Sequence, residues 1–586
     1  MLQMHMKEKR SCRDCARDTT NWIMEDAAYG PIDIPMCRPC EKKLIARQKA
    51  CNIVKLPKRR KTEYRTCPKC GRNTLGKTPE RAQSGKHRWA CYSADPDQGF
   101  CYRTTNPDAP ARNQNGKPKI KEAKLEFTVE TKGKKKFVVT WAQNATPVHA
   151  GFLGALQGYA RETGAQLIVI TGRYKNATSQ WTASQEDEQW WDPRLEPYRH
   201  NQRTKLNKHL VLLGDISTQP TAVTPLSGFE GITHGESGVL GHPKLQMVVI
   251  PTPHQRLPKI MTTTGACTVE NYTDSKAGKK GEFHHVIGAV VLELDGGAFH
   301  LRHLNARGDG AFCDLDRAYY PDGSVRDAGP YQGLVFGDAH PDFADPTVVA
   351  ATFGLGSLVE RLNPKTLVFH DLMDSYAVNP HHIGNPFISS AKRSAGNDNV
   401  AMEVQNTIQW LIGKSEGRQA VVVPSNHDDM LSRWIKNADW KYDTINGEFY
   451  LETALHMLRG TKMTKTGTMT PDPFQYWVKR ARQKNIRCLR RNESFTIAGI
   501  ECSLHGHEGP NGARGTMKNL SKLGVKVISG HSHTPGIEAG HYRTGTMTYL
   551  SLEYTGPIGS WLNAHVSIDP MGKRHIHICI DGRFWS

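Results

Sequence analysis

Five short apolar runs between residues 334 and 533 each end in a cluster of Asp, Asn or His, and this repeated ending constrains the fold more than any other feature of the chain. They are Leu334-Val-Phe-Gly-Asp338-Ala-His340, Thr366-Leu-Val-Phe-His370-Asp371-Leu-Met-Asp374, Ala420-Val-Val-Val-Pro-Ser-Asn426-His427-Asp428, Ile500-Glu-Cys-Ser-Leu-His505-Gly-His507 and Val525-Lys-Val-Ile-Ser-Gly-His531-Ser-His533. Short apolar runs read as buried strands, and the loops after strands are where α/β sheets gather functional groups. A helical stretch from Thr347 to Leu362 follows the first run, so a β-α-β unit sets Asp338 and Asp371 side by side. Asp338 and His340 are two residues apart and point the same way in an extended chain. Any one of these residues alone reads as a cap or a satisfied polar group; together they suit a divalent transition metal.

The order of the five clusters resembles the calcineurin-like metallophosphoesterase family, whose pattern is D-x-H, G-D-x-x-D, G-N-H-D or G-N-H-E, a lone H, and G-H-x-H. The resemblance covers roughly residues 331 to 560. It implies a β-sandwich flanked by helices and a phosphoester hydrolase with two active-site divalent metals. Residue by residue, it places Asp338, His340 and His533 on one metal, Asn426, His505 and His531 on the other, and Asp371 between them. It gives His427 the leaving oxygen or the charge of the transition state, and Asp374 the task of orienting His427. A phosphodiester is anionic and repels hydroxide, and a pair of cations answers both difficulties by polarising phosphate and acidifying water. Manganese is the first choice for mixed Asp, Asn and His ligands, with Fe, Zn or Mg as alternatives.

Two positions depart from the pattern. His370 stands where the family has the Gly before the bridging Asp, and Ser425 where it has the Gly before the Asn; both adjoin ligands. His507 is an additional histidine that competes with His505, although the H-G order favours His505.

The substrate is read from the other end of the chain. Residues 1 to 136 hold 32 Lys and Arg against 15 Asp and Glu, an excess of 17 out of the chain's net +20. Such one-sided charge points to a polyanion, DNA or RNA. Cys12, Cys15, Cys37 and Cys40 form two C-x-x-C knuckles, expected to close around one structural zinc in a module at residues 1–54. Cys67, Cys70, Cys91 and Cys101 predict a zinc ribbon at 55–103, with His87 an alternative to either of the last two; Cys51 fits neither set. The basic run Lys58, Arg59, Arg60 and Lys61 and the pair Arg88 and Trp89 suit phosphate contact and base stacking. Residues 104–136 read as a basic linker.

Strand-like and helical patterns then alternate over residues 137–328, expected to be an α/β domain of its own without a catalytic set, and residues 329–586 carry the five clusters. Within the latter, the stretches 376–398 and 429–490 read as insertions after metal-ligating loops, with His381, His382, Lys392 and Arg393 in the first and Arg433, Trp434 and Lys436 in the second.

The opening residues lack the apolar run of a leader, and no stretch of some 18 apolar residues occurs, so a soluble protein of the cytoplasm is expected. The His-Asp-Leu-Met-Asp and Ser-Asn-His-Asp-Asp stretches are similar to those of nucleases that large tailed phages make early in infection to degrade host DNA. The expectation is a metal-dependent DNA nuclease acting during phage infection in the host cytoplasm, compatible with a homo-oligomer. The alternatives are a phosphatase or phosphodiesterase of nucleotides or phosphoproteins, and a nucleic-acid-binding protein with a decayed site.

Overall fold

Along the strands Gly333–Val335, Thr366–Phe369 and Gln419–Val422, successive side chains go to opposite faces, as a two-residue period requires. Val335, Val368 and Val421 enter one apolar core, whereas Leu334, Leu367, Phe369, Ala420 and Val422 enter another. The sheet is therefore covered on both sides, and its continuous apolar runs follow from that.

The computed structural model describes residues 128–129, 131–173, 190–253, 256–553 and 555–586, and the backbone of the strands between residues 10 and 104. The chain divides into two units, Met1–Lys124 and Leu125–Ser586. In the first, the strands Tyr64–Thr66, Asn73–Arg81, His87–Cys91 and Arg103–Thr104 form an antiparallel sheet, and Trp22–Ala27 pairs with Gly30–Pro35. The zinc ligands expected at Cys12, Cys15, Cys37, Cys40, Cys67, Cys70, Cys91 and Cys101, and the side chains of Lys58, Arg59, Arg60, Lys61, Arg88 and Trp89, lie outside the described residues.

The second unit is mixed α/β. Its six-stranded sheet runs in the order Ile486–Cys488, Gln419–Val422, Thr366–Phe369, Gly333–Val335, Asn563–Ile568, Arg574–Cys579; the first four strands are parallel and the last two are antiparallel. A five-stranded sheet, 199–200, 166–171, 136–142, 288–295 and 298–305, lies beside it. His303 O meets His575 Nδ1 at 3.1 Å, and Asn305 Nδ2 donates to Arg574 O at 2.6 Å. One core unites both sheets with a ten-stranded sheet.

That ten-stranded sheet decides the domain organisation. Five of its strands come from residues 203–263 and five from 496–543, joined where Gln246–Ile250 pairs with Gly536–Glu538. The division expected at 328/329 thus falls within a shared sheet, because Val239, Met247 and Ile260 bury their side chains in the same core as Ile528 and Ile537.

Helices cover the outer face of the six-stranded sheet. The single helix expected at 347–362 is two, Pro346–Phe353 and Leu358–Leu362, because Gly354 and Gly356 intervene and Ser357 caps a new start. Val400–Ser415 is capped by Asn399, whose side chain accepts from Met402 N. Asp428–Asn437, Gly447–Gly460 and Pro473–Arg480 form a helical layer over the strand ends. Among the described residues, no helix is long and apolar enough to cross a membrane.

Candidate metal centre

Each ligand-bearing loop leaves the carboxyl end of a strand. Asp338 and His340 follow Gly333–Val335, Asp371 and Asp374 follow Thr366–Phe369, and Asn426 and His427 follow Gln419–Val422. From the facing sheet, His505 follows Ile500–Glu501, and His531 and His533 follow Lys526–Ser529. The loops are stitched together: His340 N donates to Asp371 O at 2.9 Å, Gly530 N to His505 O at 2.7 Å, and Asp338 N to Gly545 O at 3.1 Å. Stitching is needed because four of these residues are held in left-handed backbone: His340 (φ 37°), Asp371 (φ 44°), His531 (φ 76°) and His533 (φ 56°). Side chains other than glycine disfavour that region, and such strain gathers at functional sites.

The side chains converge in three groups: Asp338, His340, Asp371 and His533; Asp371, His505 and His531; and His340, Asp374 and His427. Asp371 is common to the first two. Its Oδ2 lies 3.5 Å from His340 Nε2 and 3.2 Å from His505 Nε2, while Asp338 Oδ2 lies 3.1 Å from His533 Nε2. Asn426 joins the second group through Oδ1, 3.0 Å from His505 Nε2. His340 Nδ1 is 3.0 Å from Asp374 Oδ1.

His505 Nε2 and Asn426 Oδ1 form a hydrogen bond, but other short separations in the cluster do not. Asp338 Oδ2, Asp371 Oδ1, both ring nitrogens of His340 and Nδ1 of His505 are buried without a hydrogen-bond partner. Buried polar atoms are rarely left so. Donor atoms about 3 to 4 Å apart, aimed past one another, are what ligands bound about 2.0 to 2.2 Å from a shared cation require. The mixed carboxylate, imidazole and amide donors suit a divalent transition metal.

Electrostatics agree. Burial pushes Asp338 up, but His533 and His505 outweigh it and hold the carboxyl at about 2. Burial likewise opposes ionisation of Asp371, and His505, His427 and His340 bring it well below the carboxylate range. His340, which burial would keep neutral, is raised to about 9 by Asp374, Asp371 and Asp338. The carboxylates are thus charged and the cluster seeks cations, with protons on histidine doing that work in a metal-free site.

The remaining residues singled out in the sequence lie around these groups. His427 is half-buried, and its Nδ1 donates to the backbone carbonyl of Asp374 at 2.8 Å, whereas the Asp374 carboxylate is 3.8 Å from it and closer to His340. His507 is in none of the ligand groups; its ring lies 5.3 Å from His505 and 6.0 Å from His531. His370 is buried against His505 at 5.6 Å, and burial lowers it to about 4, so it packs as a neutral ring. Ser425 does what glycine could not: its Oγ accepts from Asp428 N at 3.3 Å while its own N donates to Asp428 Oδ2 at 3.1 Å, closing the turn that carries Asn426.

Sequence reasoning missed three contributors. Thr546 Oγ1 donates to Asp338 O at 3.1 Å, Trp561 packs on His533 at 4.2 Å, and Glu403 accepts from Tyr376 N and Ala377 N at 2.7 and 3.0 Å. None of them follows a strand end of the five clusters.

Comparison with known proteins gives the chain its relative. It is 33% identical over 471 residues to protein A1 of Escherichia phage T5, a match covering 78% of this chain and 84% of that protein. The chain belongs to the protein A1 family. No family profile matches this A1 homologue, and no solved structure matches it.

Proposed function

We propose that this A1-family protein is a metal-dependent nuclease that hydrolyses phosphodiester bonds of DNA during phage infection, on a metallophosphoesterase scaffold. The observation that carries the reading is Asp371, a buried carboxylate common to two ligand groups, with Asp371 Oδ1, Asp338 Oδ2 and both His340 ring nitrogens buried without hydrogen-bond partners. Asp338, His340, His533 and Asp371 would hold one divalent ion, and Asp371, Asn426, His505 and His531 the other. Manganese is the first candidate. Two ions there would supply Lewis-acid activation of phosphate and water.

The chain's own groups do the rest. His427 is tied through Nδ1 to the Asp374 carbonyl, leaving Nε2 to hydrogen-bond the leaving oxygen and to give it a proton. Ser375 Oγ donates to His427 O at 2.9 Å and fixes the turn on which that ring stands. The buried walls behind the ligands exclude water from the carboxylates. Polynucleotide rather than a small ester is favoured by the excess of 17 positive charges in residues 1 to 136, and the two cysteine sets there would hold structural zinc.

The test is incubation of full-length protein with Mn2+ and plasmid or linear DNA, alongside Asp371→Asn. A loss of at least about a hundredfold is expected; a variant as active as its parent would overturn the mechanism. Replacing Lys58, Arg59, Arg60 and Lys61 by Gln should weaken DNA binding and flatten its salt dependence. Unchanged DNA affinity would favour a small phosphoester as substrate.

A further inference from the structure

Three residues beyond Asp374 the chain enters the wall of a cavity of about 520 Å3, bounded by helices Pro386–Ala395 and Asp428–Asn437 and by the turn before Gly447–Gly460. Ala377, Val378, Trp434 and Tyr442 are among the residues that line it. The reach from Asp374 to Ala377 is at most about 11 Å of chain. Asp374 acts electrostatically on His382 and Lys392 in the cavity wall, and the Tyr376 ring bridges Phe343 at 5.2 Å and His382 at 5.1 Å. The cavity and the metal centre are therefore neighbours.

Its charges argue against a phosphate site. Lys392 is buried, donates to Tyr376 O and lies over the Tyr376 ring at 4.5 Å. Arg393 is paired with Asp398 at 3.1 Å, and Asp443 adds a second carboxylate to the lining. With its cations matched by carboxylates, the cavity suits a neutral, flat molecule with polar edges. A volume of this size lies within the range of small-molecule sites. His382 Nδ1 is buried in the wall without a hydrogen-bond partner, while Nε2 is 3.3 Å from Glu553 Oε1. Ile383 in the lining is 80% exposed, and Phe387 on the same helix as Lys392 is 83% exposed. Apolar side chains left in water beside a cavity lined in part by Trp434 and Tyr442 mark a contact surface.

Resting on the nuclease reading, we propose that this cavity is a nucleobase pocket: it receives one unstacked base of the strand whose phosphodiester lies at the metal centre. Trp434 and Tyr442 stack on the base, His382 and Asp443 meet its polar edge, and Ile383 and Phe387 support the neighbouring nucleotide. A base can enter only after leaving its stack, and that step is easiest in single strands and frayed ends. The enzyme therefore prefers single-stranded to fully paired DNA.

The test uses the full chain with Mn2+ and a single-stranded oligonucleotide cut at one position, compared with the same strand carrying an abasic site at each nucleotide near the cut. Removing one particular base should raise KM about tenfold in the parent. Ser390→Trp, which plugs the cavity from an exposed position, should raise KM on the intact strand by a similar factor and make the abasic substitution neutral. Tyr442→Ala, at a side chain 90% exposed, gives the same loss without disturbing a core. A parent indifferent to every abasic site, or a plugged variant with parental KM, overturns the pocket. Hydrolysis of bis(4-nitrophenyl) phosphate by the parent separates the two readings. If that ester is cut, a negative result falls on the pocket alone; if neither ester nor DNA is cut, the phosphodiesterase reading fails and the pocket with it.

Discussion

Gly530→Ala tests the metal centre by adding one carbon. A Cβ at this position would stand 2.3 Å from Asp338 Oδ1 and 3.4 Å from the Cγ atoms of Asp338 and His370. Gly530 is not among the residues with positive φ, so alanine carries no backbone strain there and the effect is that of the methyl alone. Ordinary contact begins near 3.4 Å, so the carboxylate must withdraw by roughly 1 Å, and it cannot do so freely because Oδ1 accepts from His531 N at 3.1 Å. A displacement of about 1 Å in a reacting group lowers rates by roughly a hundredfold, equivalent to about 2.7 kcal/mol of transition-state stabilisation. The assay is initial rate on bis(4-nitrophenyl) phosphate over a Mn2+ titration, with thermal melting of each protein. Gly413→Ala, where a Cβ meets nothing within 4 Å, is the control and should leave the rate unchanged. A Gly530→Ala protein with parental rate and Mn2+ dependence would refute the reasoning, since Asp338 could then not be a ligand whose placement matters.

Three other outcomes are expected. Saturating Mn2+, at about a hundred times its Kd, should stabilise the parent by about 2.7 kcal/mol, read as a raised Tm, and Asp338→Asn should lose most of that gain; equal gains in both would place the ion elsewhere. Arg302→Met leaves Glu293 and Asp314, 3.0 and 2.8 Å from the guanidinium and all but buried, without their main partner, and should lower stability by about 3 to 5 kcal/mol in urea titrations. Burial raises both carboxyls, but Arg302 overrides it and holds each below its ordinary range. The stabilisation they bring is therefore complete above about pH 4.5 and lost on acidification towards the folded values, and the parent should lose stability below that pH more steeply than the variant. Glu403→Leu strands the part-buried amides of Tyr376 and Ala377, which should cost about 1 kcal/mol each and slow turnover, with Glu403→Gln intermediate; a Leu variant with parental melting and rate would remove Glu403 from the support of the Asp374 loop.

The ligand groups were legible because each is announced locally: an apolar run, then Asp, Asn or His at its end, with strands and loops that fall within a residue or two of where the pattern sets them. What no local pattern reports is which atoms meet. Asp374 was expected behind His427, yet its carboxylate is nearer His340 and only its carbonyl holds His427. Gly530 looks like any turn glycine until Asp338, 192 residues earlier in the chain, is seen against it. A boundary at 328/329 follows from the five clusters lying beyond it, but pairing between Gln246–Ile250 and Gly536–Glu538 leaves no trace in either segment, since edge-to-edge hydrogen bonds involve only backbone.

That pairing has a consequence for how the molecule comes into being. The strands preceding His505 and His531 complete a sheet begun nearly three hundred residues upstream, so three of the seven candidate ligands cannot be positioned until almost the whole polypeptide has left the ribosome. A piece beginning at residue 329 would present Gly536–Glu538 as a bare, sticky margin to its own copies. The candidate metal centre of this A1-family chain is thereby assembled only on completion.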